Sequence, residues 1–98
     1  MFVAKVVGNV WASRKHPSLK NRSLLLVKPA EPETGEFIGE TALAVEGGVG
    51  AGIGDTVLVL DEGGCARMIL ADAKAPVRTV ICGVVDSLSY KGKVKKYA

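Results

Sequence analysis

The sequence is poor in the side chains that most catalytic and metal sites require. Its 98 residues include one histidine, two cysteines and only 5% aromatic residues. His16 lies in a basic stretch without a nearby acid, and Cys65 and Cys82 form no CxxC pair. A histidine-based metal cluster and a thiolate nucleophile are therefore not indicated. We predict no metal, no cofactor and no enzymatic activity.

Long hydrophobic runs are also lacking. No stretch approaches the length of about 20 apolar residues that a membrane-spanning helix needs. Lys5 interrupts the first apolar run, which argues against a signal peptide. The two cysteines are predicted to be small buried residues in a reducing compartment rather than a disulfide. Together these features favour a cytoplasmic protein without a membrane partner.

Positive charge is modest and concentrated at two places. The net charge is +3, with basic residues clustered at positions 14–22 and 91–96. A small basic barrel could bind single-stranded nucleic acid, but that mode needs aromatic platforms along a positive groove. Phe2, Trp11 and Phe37 are scattered, and the tail with Tyr90 and Tyr97 is interpreted as a solvated terminus. Nucleic acid is therefore the unfavoured alternative.

What the sequence does contain is small β-branched residues and glycine. Valine-rich segments predict five strands, at residues 2–11, 24–28, 41–45, 56–60 and 77–85. Helical spacing of apolar residues predicts a short helix at 65–71, and residues 29–39 resemble a projecting hairpin. We expect an all-β fold: one domain over residues 1–98, a small five-stranded OB-like β-barrel with one short helix and a basic tail at about 90–98.

The loop between the third and fourth predicted strands is the least ordinary segment. Glycine occupies positions 47, 48, 50, 52 and 54. A simple hairpin needs only two residues, so either an irregular turn or a tightly contacted loop is indicated. The spacing also resembles a dinucleotide fingerprint, but a strand rather than a helix follows it. Asp61 and Glu62 precede two glycines, which is more typical of a turn than of a paired acid site.

Four segments in order resemble one known family. They are VVGNVWASRKHPSLKNRSLLLVKP (6–29), LAVEGGVGAGIGDTVLV (43–59), GCAR (64–67) and APVRTVICGVVDSL (75–88). This set is similar to the EutN/CcmL family of bacterial microcompartment vertex proteins. The resemblance implies an OB-like barrel without enzymatic activity. It also implies a homopentamer at the vertices of a cytoplasmic shell that is otherwise tiled by hexameric shell proteins.

The resemblance also implies where the subunits meet. Its loop and arginine correspond here to a set of six residues: Gly50, Ala51, Gly52, Gly54, Asp55 and Arg67. We hypothesise that the loop of one subunit meets the Arg67 region of the next, because a cyclic ring joins two different patches. Gly52 is expected either to have positive φ or to lie against the neighbour. The alternative function is a monomeric OB-like module that binds single-stranded nucleic acid.

Two positions depart from the family pattern. Glu46 stands where aspartate is common, and Arg78 stands where an acid is common after Pro-Val. The second departure reverses a charge, which puts any salt bridge at that position in doubt.

Overall fold

The computed structural model describes residues 1–11, 19, 22–72, 78–90 and 92–97. Within them five strands close into a barrel in the order β1-β2-β3-β5-β4. The strands are β1 (Phe2–Val10), β2 (Leu24–Pro29), β3 (Ala42–Glu46), β4 (Thr56–Asp61) and β5 (Thr79–Val84). Helix α1 (Gly63–Ile69) lies between β4 and β5, and β6 (Ser87–Tyr90) and β7 (Lys93–Lys96) form a separate hairpin. The predicted all-β, five-stranded barrel with one short helix is confirmed.

The barrel interior is filled by small and medium apolar side chains. Strand residues alternate between the inside and the outside of a barrel, so every second residue contributes to the core. The buried cluster consists of Ala4, Val6, Leu25, Val27, Ala44, Val57, Val59 and Ile81. The scarcity of aromatic residues is therefore explained by a narrow lumen that valine and alanine fill.

A second cluster lies outside the barrel, beneath α1. It consists of Leu24, Val45, Ala66, Leu70 and Val80. Because β2, β3 and β5 are covered on both faces at this end, their apolar runs are continuous rather than alternating. The helix starts two residues before the predicted position, since the Glu62 side chain caps it through the amides of Gly64 and Cys65.

Strand β1 contains a bulge. Val6 pairs with Val27 and Gly8 pairs with Leu26, which leaves Val7 as the extra residue. This confirms the bulge or bend predicted at Gly8. A Cβ atom at Gly8 would lie 3.2 Å from Leu26 Cδ1, so close side-chain approach also favours glycine there.

The segment after β2 forms the expected projection. Ala30 bridges to Phe37, and the Glu31 amide donates to the Glu36 carbonyl at 2.7 Å.

The interpretation of the C-terminal tail as a solvated terminus is wrong. Its strands pair with each other, and the Tyr97 hydroxyl donates to the Pro32 carbonyl. The tail is therefore a hairpin that is attached to the projection.

Two sequence predictions concern isolated residues. Cys65 is exposed, so its predicted burial is wrong, because it lies on the outer side of α1. Cys82 is half-buried in the β5 irregularity and donates to the Leu58 carbonyl at 3.5 Å, and both thiols are free. His16 lies outside the described residues. In the described part of the chain, no helix is long and apolar enough to cross a membrane.

Candidate functional site

The glycine-rich loop, residues 47–55, joins β3 to β4 and is fixed at its base by β5. The Gly47 amide donates to the Ile81 carbonyl at 3.0 Å. A Cβ atom at Gly47 would collide with that carbonyl oxygen and lie 3.2 Å from Ile69 Cγ2 on α1. The loop therefore begins in close contact with both the barrel and the helix.

Two carboxylates organise the loop from within. Glu46 accepts hydrogen bonds from the amides of Gly48 at 2.9 Å and Val49 at 2.7 Å. Asp55 accepts one from the Gly52 amide at 2.9 Å through Oδ2. Charged acceptors make stronger hydrogen bonds with amides than neutral ones do. The Glu46 departure from the family pattern therefore retains a carboxylate that closes the first half of the loop.

Strand β1 holds the second half. The Gly54 amide donates to the Val6 carbonyl at 2.9 Å, and the Val6 amide donates to the Asp55 carbonyl at 2.9 Å. These bonds continue the β1–β4 ladder beyond its Lys5–Thr56 pair. Ala51 packs against the barrel core. The loop is thus hydrogen-bonded to the barrel at both ends, but within one subunit only Gly47 among its glycines is tightly contacted.

The loop glycines serve different purposes. Gly48, Gly50 and Gly54 have φ values of 89°, 80° and 94°, which L side chains rarely adopt. Gly52 has no positive φ, and a Cβ atom there would meet nothing within 4 Å. The expectation of positive φ at Gly52 is therefore wrong. Nothing within the described chain requires glycine at that position.

Arg67 lies in the last turn of α1. Its side chain is half-buried, and its guanidinium is the smallest contributor to the acidity of Glu62. Among the described residues, the hydrogen bonds of the loop join it to itself, to Glu46 of β3, to β1 and to β5. The structure thus brings Gly50, Ala51, Gly52, Gly54 and Asp55 together in one loop, whereas Arg67 belongs to the helix.

The start of α1 is occupied by the chain's own carboxylate. Glu62 accepts from the Gly64 amide at 2.8 Å and the Cys65 amide at 2.7 Å. A hydrogen bond from the Cys65 side chain, followed by these amide bonds, lowers the pKa of Glu62 to about 2. The same carboxylate raises the pKa of the Cys65 thiol. The thiol is therefore held in its protonated, less nucleophilic form.

Asp61 has a structural partner. Arg78 Nε lies 3.1 Å from Asp61 Oδ1, and the Thr79 hydroxyl donates to the same oxygen at 3.0 Å. Arg78 forms this salt bridge because β5 pairs Thr79 with Asp61 and places Arg78 beside it. Both side chains are exposed, so the pair contributes little stability. Asp61 and Glu62 thus serve a strand end and a helix cap, where the sequence analysis predicted a turn.

Two contributing residues escaped the sequence analysis. Arg22 donates from Nη2 to the Leu70 carbonyl at 3.0 Å, where it satisfies the C-terminal end of α1. No local pattern signals a contact between residues so far apart. Glu46 was noted only as a departure, although an acid directly before two glycines is a signal for a side chain that caps a turn. Within the described residues, no group of three or more histidine, cysteine or acidic side chains is placed to hold a metal ion.

Comparisons with known proteins agree on one family. A family model described as "Ethanolamine utilisation protein EutN/carboxysome" matches residues 1–86. The shell vertex protein PduN of Salmonella typhimurium is 36% identical, with 91% of this chain and 99% of that protein covered. The structure of CcmL from Nostoc sp. superposes with a TM-score of 0.85 at 31% identity over 96% of both chains. The pentameric microcompartment shell protein GrpN from Rhodospirillum rubrum gives 0.77 at 30% identity, with 92% of this chain and 100% of that chain covered.

Proposed function

The chain belongs to the EutN/CcmL family, and from this we propose that it forms a closed ring of five subunits at the vertices of a bacterial microcompartment shell. The family comprises structural shell vertex proteins rather than enzymes. Its place is the shell, within the bacterial cytoplasm. The nucleic-acid-binding alternative is accordingly set aside.

Gly52 is the observation that supports assembly through the loop. Its conformation does not require glycine, and a side chain there would meet no atom of its own subunit. A neighbouring backbone that lies close to Gly52 supplies the missing reason. The loop is already rigid in one subunit, so little conformational entropy is lost when a neighbour docks on it.

Exposed apolar side chains mark two different faces. Val49 and Ile53 on the loop are 41% and 64% exposed, and Met68 on α1 is 80% exposed. On the outer side of β1 and β3, Val7 and Leu43 are 42% and 48% exposed. A ring joins unlike patches in a head-to-tail manner, so two separate apolar faces fit this symmetry. The proposed contact joins the loop of one subunit to the Arg67 surface of the next.

We further propose that the ring contacts the hexameric shell proteins that surround it. Flat hexameric tiles form sheets, and a closed polyhedral shell needs positions of five-fold symmetry. A ring of this size inserted among hexameric shell proteins provides that symmetry. Catalytic chemistry is not needed for this role.

Native mass spectrometry of the purified chain tests the ring, which is expected to have five times the subunit mass of 10.2 kDa. Gly52→Val is expected to abolish the ring without unfolding the subunit, because space is open around Gly52 within the chain. Gly50→Ala is the matched control. Its positive φ predicts lower subunit stability, by about 1 kcal/mol, through backbone strain.

Two results would contradict the proposal. A wild-type spectrum with only monomers would exclude the ring. A Gly52→Val variant that retains the full ring with unchanged melting temperature would remove the loop from the boundary.

A further inference from the structure

The C-terminal hairpin, β6 and β7, lies outside the part of the chain that the family model matches. It begins at Ser87, directly after residues 1–86 that match the family model. Its two strands form their own sheet, separate from the barrel. The hairpin is nevertheless held in position, because the Tyr97 amide donates to the Asp86 carbonyl at 2.8 Å and the Tyr97 hydroxyl donates to the Pro32 carbonyl.

The hairpin carries the excess positive charge of the molecule. Residues 87–97 contain four lysines and no acid, whereas the net charge of the whole chain is +3. The remainder of the chain is therefore close to neutral. A positive charge concentrated on one small element attracts an anionic partner to that element rather than to the whole surface.

One face of the hairpin is open to solvent. The strand register pairs Ser87 with Lys96 and Ser89 with Val94, and residues directly opposite one another share a face. All four are exposed, and Val94 is 64% exposed. This outward face thus combines an ammonium group, two hydroxyls and one apolar side chain.

We propose that the outward face of the hairpin docks an extended acidic segment of a second protein. The Lys96 ammonium group pairs with one of its carboxylates, the serine hydroxyls donate to others, and Val94 provides an apolar contact. A protein segment fits better than nucleic acid because base stacking needs a free ring, and Tyr97 is the one aromatic residue of the hairpin whose side chain the structure describes. The Tyr97 ring has Lys95 Nζ 5.1 Å from its centroid, and its hydroxyl is already engaged.

Repetition strengthens such a site. In a closed ring each subunit presents one hairpin, so an acidic partner with several segments gains avidity from sites that are individually weak. This multiplicity rests on the proposed ring, whereas the docking face itself is complete within one chain.

The test uses the full chain and a labelled peptide of about ten residues that alternates glutamate and threonine, with a glutamine–threonine peptide as reference. Fluorescence anisotropy is expected to show binding of the acidic peptide only. Lys96→Glu is expected to weaken binding at least about fivefold, because an attractive charge becomes repulsive. The control Lys5→Glu makes the same charge change at an exposed position on β1 and is expected to alter affinity less than about twofold.

Three outcomes would overturn the inference: no binding of the acidic peptide, equal weakening by both variants, or tighter binding of a single-stranded oligonucleotide than of the peptide at about 150 mM salt. Equal weakening would show that only net charge matters. Native mass spectra of the same samples keep this test separate from that of the ring, because loss of the ring in the wild type contradicts only the proposed function.

Discussion

Asp55 and Gly52 are joined by two hydrogen bonds that close the glycine-rich loop on itself. Asp55 Oδ2 accepts from the Gly52 amide at 2.9 Å, and the Asp55 amide donates to the Gly52 carbonyl at 3.1 Å. The residue that is open to a neighbour is thus oriented by the residue that ends the loop. This relationship preforms the loop for the proposed contact with a neighbouring subunit.

Removal of the Asp55 carboxylate is expected to loosen that surface. Asp55→Ala leaves the half-buried Gly52 amide without its charged acceptor, a loss of about 2 kcal/mol. We expect a lower melting temperature and a smaller fraction of ring in native mass spectra at the same concentration. Asp86→Ala is the control, since Asp86 is exposed and its backbone carbonyl is retained. Equal behaviour of the two variants would contradict the role of the Asp55 side chain.

Ala71→Gly is expected to stabilise the protein. Ala71 follows α1 with a φ of 54°, a conformation that costs an L residue about 1 kcal/mol and costs glycine little. Thermal unfolding at fixed protein concentration measures the gain. Ala66→Gly makes the same change inside the helix, where Ala66 is fully buried, and is expected to lower the melting temperature. Destabilisation by both variants would exclude strain at Ala71.

Glu62 gives stability a defined dependence on pH. Its pKa is lowered from 4.5 to about 2, so the unfolded chain binds the proton more readily than the folded one. The stabilising contribution is therefore complete above about pH 4.5 and is lost as the pH falls towards 2. Glu62→Gln should have a lower melting temperature than wild type at pH 6, and the difference should shrink across that interval. A constant difference would contradict the linkage.

The same variant tests the thiol. The Glu62 carboxylate raises the pKa of Cys65, so Glu62→Gln is expected to speed alkylation of Cys65 by iodoacetamide near pH 8. The Cys65→Ser variant serves as the control, because any alkylation that it still shows comes from Cys82. Unchanged alkylation would show that the carboxylate does not control the thiol.

If the protein has a purely structural role, the side chains with the greatest catalytic potential, His16, Cys65 and Cys82, are dispensable. The combined variant His16→Ala, Cys65→Ser and Cys82→Ser is expected to form normal rings and to restore closed shells in cells that lack the wild-type protein. Serine at position 82 keeps a donor for the Leu58 carbonyl. Electron microscopy distinguishes closed shells from elongated or unsealed ones. Open shells around correctly assembled rings would contradict a purely structural function.

Single-stranded oligonucleotides are expected not to bind measurably at about 150 mM salt. Any binding at low salt should fall steeply as salt rises, because counterion release alone would drive it. Fluorescence anisotropy across a salt series measures this. A salt-resistant, sub-micromolar complex would restore the nucleic-acid-binding alternative.

The strands were predictable because local composition determines them. All five barrel strands lie within two residues of their expected ends, since valine-rich runs are bounded by proline, glycine or acidic residues. The loop was recognisable from its glycines. The β6–β7 hairpin was missed because lysine has low β propensity, although Gly92, with a φ of 78°, occupies its turn.

Contacts between residues that are far apart in the chain could not be predicted from the sequence. The Arg78–Asp61 pair depends on the register of β4 and β5, and the Arg22–Leu70 contact depends on how α1 lies on the barrel. For Gly52, the residue type was informative, but the sequence did not show why glycine is there. Positive φ and close approach of a neighbour were both possible reasons, and only the φ value and the surroundings of Gly52 distinguish them.

The bonds between Val6 and the loop have a mechanical consequence. Because the amides of Gly54 and Val6 extend the β1–β4 ladder, the loop cannot swing outward unless barrel hydrogen bonds break first. Such an opening belongs with the slowest amide exchange of the protein rather than with ordinary loop motion. In the proposed ring, any passage that these loops border would therefore have a constant aperture and act as a fixed orifice, not as a valve.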